Sequence, residues 1–250
     1  MLVNRRYPVR ADKSDWRDRY YNFARGELRP YVDLRPWASP VEDQYRLGSC
    51  TGQAVVGAYE LLLNKNQPDQ LIDLSRLFVY YNARLLEDSV NIDQGAYVRD
   101  AIKSVRQYGI CTESLWPYNT ENFALKPGLE CYNDAKRRTI KNYYRLVTLQ
   151  DILDSLNSDH PVVFSLAVYP QFDDITASDP ILAMPKDDDH FLGGHAMTLV
   201  GYDLHRRLLL ARNSFGINWG DKGYCWIPFD YAGTDFMDTW VFDIDIKFAQ

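Results

Sequence analysis

The sequence is poor in residues that would staple it, anchor it in lipid or draw it to a polyanion. Only four cysteines, Cys50, Cys111, Cys131 and Cys225, are spread over 250 residues. If one must stay a free thiol, at most one bridge can form, with Cys111–Cys131 as a candidate. No disulfide framework is expected, which fits a reducing compartment or a fold with an ample core. No apolar run reaches the roughly 20 residues of a membrane helix, so no membrane association is expected. The opening stretch, Met-Leu-Val-Asn-Arg-Arg-Tyr-Pro-Val-Arg, lacks the apolar region of a secretory signal. The expected location is cytoplasmic or non-classically secreted. Lys and Arg number 28 against 34 Asp and Glu, a net charge of −6. An acidic chain gains nothing from counterion release, so nucleic acid is not an expected partner. HExxH, CxxC, a glycine-rich phosphate loop and the GxSxG elbow are all missing. Asp187-Asp188-Asp189-His190 has no second cluster to complete a coordination set and reads as a solvated loop. No metal and no cofactor are expected.

What is present is an ordinary globular composition, 46% hydrophobic and 25% charged, which excludes disorder for the bulk of the chain. Residues 1–30 are polar and without strong periodicity, and read as an extension lying across the main body. From Cys50 the apolar residues run nearly all round a helical wheel, which predicts a buried helix ending near Asn64–Pro68. Ser75 reads as the N-cap of a second helix to Leu86. A third helix is expected from about Ala96 to Tyr108, with Gly109 as its stop. Leu149–Asn157 reads as a short helix. Beyond it, 161–169, 196–202, 207–211, 223–227 and 240–244 are short β-rich segments separated by Gly, Asp and Asn. The expected fold is α+β, with a helical lobe at about 43–130, an antiparallel, barrel-like β lobe at about 131–245, and a cleft between them.

Four residues, in order, suggest the chemistry. Cys50 lies in Gln44-Tyr45-Arg46-Leu47-Gly48-Ser49-Cys50-Thr51-Gly52-Gln53. His195 follows in Gly193-Gly194-His195-Ala196, and Asn213 in Arg212-Asn213-Ser214-Phe215-Gly216. A thiol is mostly protonated at neutral pH, so a nucleophilic one needs help. The start of the buried helix and an imidazolium at His195 would both favour a thiolate. Asn213 would hold the far edge of the imidazole, and the Gln44 amide with the Cys50 N–H would receive an oxyanion. Taken singly, a buried Cys is usually inert packing, a His a satisfied core residue and an Asn a turn former. Their conjunction favours the functional reading.

The chain resembles the papain-like cysteine peptidases. The likeness runs through Tyr31-Val32-Asp33-Leu34-Arg35, Ser39-Pro40-Val41-Glu42-Asp43-Gln44, Gly48-Ser49-Cys50, Trp116-Pro117-Tyr118, His195-Ala196 and Asn213-Ser214-Phe215-Gly216-Ile217-Asn218-Trp219-Gly220. The Cys-to-His interval falls in the window of about 130–150 residues that the papain type shows. The resemblance implies a two-lobe papain-like domain over 31–250. It implies peptide-bond hydrolysis through a thioester, with Cys50 as nucleophile, His195 as acid–base, Asn213 as orienter and Gln44 as oxyanion donor. It places Gly95, Gly194 and Trp219 against the substrate, and makes peptides or proteins the expected partners. The chain departs from the family in carrying Thr51 where Trp usually follows the nucleophile, Phe215 where Trp usually follows Asn-Ser, and Leu47 in place of a disulfide Cys. A thiol acyltransferase or peptide ligase, and a catalytically silent peptide-binding scaffold, are the alternatives. Residues 1–30 lack the helical signature of the family's inhibitory propeptide. They are expected to strap across part of the cleft as an intramolecular regulator.

Overall fold

The computed structural model describes residues 5–21, 26–68 and 71–246. The long apolar stretch from Cys50 forms α1 (Cys50–Asn66), buried over nearly its whole circumference. The second helix, α2 (Arg76–Leu86), starts where Ser75 accepts the Phe78 N–H at 3.1 Å. Helix α3 (Val98–Tyr108) begins two residues later than the sequence pattern implies, with Tyr97 as its extended N-cap. It stops at Gly109, whose φ of +83° and contact with the Ala135 carbonyl leave no room for a Cβ. A short α4 (Leu129–Ala135) and the strand β2 (Arg138–Arg145) follow. Helix α5 (Leu149–Asn157) opens on a capping box between Thr148 and Asp151.

The β-rich segments become β3 (Val162–Val168), β4 (Gly193–Asp203), β5 (Leu208–Arg212), β6 (Tyr224–Pro228) and β7 (Phe236–Ile246). A one-and-a-half-turn α6 (Phe229–Thr234) joins the last two, and a three-residue β1 (Tyr31–Asp33) adds to β4. The pairings are all antiparallel, in the order β2-β7-β3-β4-β5-β6. The sheet is not closed, which corrects the barrel-like expectation. Closure would require β2 to meet β6. Instead, the β2–β7 end packs against the helices, with Ile140, Trp240 and Phe242 in the same core as Val55, Tyr59 and Ile102. A second core fills the space around β3–β6, including Phe164, Phe172, Leu199, Leu210 and Ile227. Two cores with one seam make the two-lobe papain-like fold. Helix α1 lies along that seam and is tied to β4 where Thr198 Oγ1 donates to the Ala54 carbonyl at 2.9 Å.

All four cysteines are free and buried. Cys111 and Cys131 sit together with Phe78 and Ala135 in a small separate cluster, unbridged. No helix among the described residues is long and apolar enough to cross a membrane.

Candidate active site

Cys50 is the first residue of α1, so its thiol lies where helix N–H groups have no helical partner. The backbone amides of Ala196, Thr51 and Cys50 itself all favour its anionic form. Complete burial outweighs them and pushes the thiol up to about 12. His195 sits mid-sheet in β4, opposite Leu166 of β3. Asn213 leaves the end of β5 and is fixed by its own N–H on the Gly223 carbonyl at 2.9 Å. These placements bring His195 Nε2 to 2.7 Å from Asn213 Oδ1. The same oxygen accepts the Ser214 N–H at 2.8 Å, so the ring must donate from Nε2, leaving Nδ1 as the basic nitrogen. Nδ1 has no hydrogen-bond partner among the described residues. Burial pulls the imidazole down to about 4, against the opposing effect of the Asn213 contact. Burial thus favours the neutral form of the thiol and of the imidazole alike. For the thiol, burial opposes the depression that the start of the helix is expected to give.

Gln44 is 2% exposed and held from both ends of its amide. Its Nε2 donates to the Leu47 carbonyl at 2.9 Å, and its Oε1 accepts from Ser214 Oγ at 2.6 Å. Its second Nε2 hydrogen has no partner among the described residues. Tyr118, from the Trp-Pro-Tyr motif, donates to the Gln44 carbonyl at 3.1 Å and lies 2.6 Å from Ser49 Oγ. Phe215 lies over the imidazole with ring centroids 4.8 Å apart. Phe172 and Trp219 complete an aromatic wall, Phe172 at 5.6 Å from the imidazole and Trp219 at 5.8 Å from Phe215. Phe172, Tyr80 and Asp93 were not picked out from the sequence. Asp93 accepts the Gly48 N–H at 3.0 Å and the Tyr80 hydroxyl at 2.6 Å, and that hydroxyl accepts the Gly95 N–H at 3.3 Å. Asp93 stands two positions before Gly95 in the sequence.

The N-terminal segment packs against Gly48, Gly95, Gly193 and Gly194. Val9 donates its N–H to the Gly194 carbonyl at 3.0 Å, and Gly194 returns its own to the Tyr7 carbonyl at 3.0 Å. The Pro8 ring lies between Gly48 and Gly95; a Cβ on Gly48 would come within 2.8 Å of Pro8 Cγ, and one on Gly95 within 2.9 Å of the Pro8 carbonyl. Gly193 and Gly194 likewise have no room for a Cβ against Tyr7 and Val9. Val9 is 3% exposed and shares a core with Leu47, Cys50, Ala96 and Ala196. The Tyr7 ring meets the imidazole edge-on at 5.9 Å, and its hydroxyl donates to Asp173. Arg5 bonds Asp43 at 3.0 Å and the Phe215 carbonyl at 3.1 Å, with its guanidinium 3.9 Å from the Phe215 ring centre.

Residues 29–236 match the papain family cysteine protease profile. The chain belongs to the papain family of cysteine proteases. It is 36% identical over 228 residues to an uncharacterized peptidase C1-like protein of Acanthamoeba polyphaga mimivirus, covering 86% of this chain and 73% of that one. A cysteine proteinase 1 of Entamoeba histolytica is 27% identical over 74% of this chain, which spans 58% of that enzyme. Among solved structures, xylellain, a cysteine protease from Xylella fastidiosa, superposes with a TM-score of 0.89 at 32% identity, covering 100% of both chains. For this papain-family chain, no group of three His, Cys, Asp or Glu side chains among the described residues is placed to hold a metal ion.

Proposed function

We propose that this chain is a cysteine peptidase whose own N-terminal segment holds it latent. The observation that carries the reading is the fixed His195–Asn213 pair, with Nδ1 left basic, in a papain-family chain whose cysteine opens α1. With residues 5–12 out of the cleft, water reaches both groups and the desolvation that keeps them neutral falls away. The Cys50 proton then passes to His195 Nδ1, and Asn213 Oδ1 holds the resulting imidazolium. The thiolate attacks the carbonyl carbon of a peptide bond. The second Nε2 hydrogen of Gln44 and the Cys50 N–H receive the oxyanion. His195 returns its proton to the leaving amine, and water cleaves the thioester with His195 as base. Substrate would take the backbone positions that Tyr7 and Val9 occupy on Gly194, beside Gly95 and below Trp219.

The test is treatment of the Val9→Asp chain, in which a charge at a buried position should unseat the segment, with the epoxide E-64 followed by mass spectrometry, alongside Cys50→Ala in the same background. One adduct on Cys50 and loss of peptide-amide cleavage in the variant support the reading. Cleavage that persists in Cys50→Ala overturns it.

A further inference from the structure

Past the cleft, the N-terminal segment crosses a buried group of acids and arginines. Asp12 is buried, and its N–H donates to Asp238 Oδ2 on β7 at 2.8 Å. Its own carboxylate accepts the Trp240 Nε1–H at 2.8 Å and the Arg99 N–H at 3.3 Å. Two guanidiniums line this place. Arg99 of α3 gives its Nη1 to Asp18 at 2.9 Å and its Nη2 to the Lys13 carbonyl at 2.6 Å. Arg145 of β2 gives Nη2 to Asp238 at 2.5 Å and reaches Asp18 at 3.5 Å. Ser165 of β3 donates to Asp238 at 3.3 Å. Both guanidiniums are thus engaged with Asp18 and Asp238, and neither hydrogen-bonds the Asp12 carboxylate.

The charges do not balance. The body supplies Arg99, Arg145 and Asp238, one positive charge in surplus, and the segment brings Asp12 and Asp18. A buried group with one negative charge too many is relieved by a proton. Asp12 is the site for it, because it faces Asp238 without a guanidinium of its own.

We propose that docking of the N-terminal segment takes up one proton at Asp12, so that the segment is held tightly in acid and loosens as the pH rises towards neutrality. This rests on the reading above, in which that segment covers the site. Burial first, and Asp238 second, raise the Asp12 carboxyl above its ordinary range. A carboxyl whose docked form prefers the proton stabilises docking below that raised value, and the contribution is lost as pH rises through it. Of the other groups at the interface, Glu87 is raised chiefly by burial, and the one group the segment brings to it, Arg10 at 2.8 Å, draws it back down. Tyr7 is raised by burial and stays protonated throughout. Cys50 and His195 exchange a proton between themselves on uncovering and add no net uptake.

The test is amide hydrogen exchange on the full chain in the Cys50→Ala background, so that the result does not depend on whether the chain cleaves peptides. Protection of the Val9 and Gly194 amides, divided by the intrinsic exchange rate at each pH, reports docking. It is expected to fall about tenfold or more between pH 5 and pH 8. Asp12→Asn should leave most of that slope absent. If Asp12→Asn fails to dock at any pH, Asp238→Asn decides, because it balances the charges with Asp12 ionised and should also flatten the profile. Constant protection in the parent protein, or an undiminished slope in the variant that docks, overturns the proposal. If the pH profile holds while unseating the segment leaves turnover unchanged, the latch stands and the inhibitory reading fails.

Discussion

His195 and Asn213 meet at 2.7 Å with both side chains out of solvent, and that contact decides which ring nitrogen is basic. A β-strand and the turn after its neighbour, 18 positions apart in sequence, supply the two halves. Asn213→Ala removes the acceptor that orients the ring. We expect kcat on a peptide amide to fall roughly 10²-fold or more with KM little changed, since tautomer and ring plane are lost together. Steady-state kinetics on the unseated form checks this; unchanged kcat would mean that the pair is merely structural.

Gln44→Ala should lower kcat by roughly 10²–10³ if its second amide hydrogen receives the oxyanion. The same change also strands Ser214 Oγ, which now donates to the Gln44 Oε1 at 2.6 Å. A stability loss of about 1–3 kcal/mol should accompany it, read from urea unfolding. A stability loss without a kinetic one would place Gln44 in the scaffold alone.

Cys50 should respond to pH according to whether it is covered. Burial pushes its thiol up to about 12, so the intact chain should be alkylated by iodoacetamide slowly near neutrality and faster as pH rises. Val9→Asp places a charge at a position only 3% exposed and should unseat the segment. In that variant the alkylation profile should move to lower pH, because the thiolate regains water and the imidazolium. Superimposable profiles would show that the segment does not control the thiol.

The same Val9→Asp change should raise peptide-amide turnover relative to the parent chain, with E-64 labelling rising in parallel. Circular dichroism and the thermal midpoint check that the body remains folded. Equal turnover in two folded proteins would leave latency without support.

Gly109→Ala tests the fold rather than the chemistry. The added Cβ meets a positive φ and the Ala135 carbonyl at once. A loss of at least about 2 kcal/mol is expected, seen as a lower thermal midpoint.

Much of this protein is legible from its residues, for local reasons. The all-round apolar stretch after Cys50 becomes α1, Ser75 caps α2, Gly109 stops α3, and the short branched and aromatic runs become β3–β7, because propensity, capping and burial pattern agree there. The order of Gln44, Cys50, His195 and Asn213 carries the family likeness. Strand β2 was missed because Lys141-Asn142-Tyr143-Tyr144 has no clean alternation. It is an edge strand, only partly buried, and its pairing with β7 is interrupted by a bulge. What the tertiary structure alone decided is the state of the site. No pattern within residues 5–12 shows that Tyr7, Pro8 and Val9 lie against Gly194, Gly48 and Gly95, or that Asp12 comes to rest on Asp238. Those contacts join positions up to 226 residues apart, a separation over which no local propensity or spacing carries information, so only the packed chain fixes them.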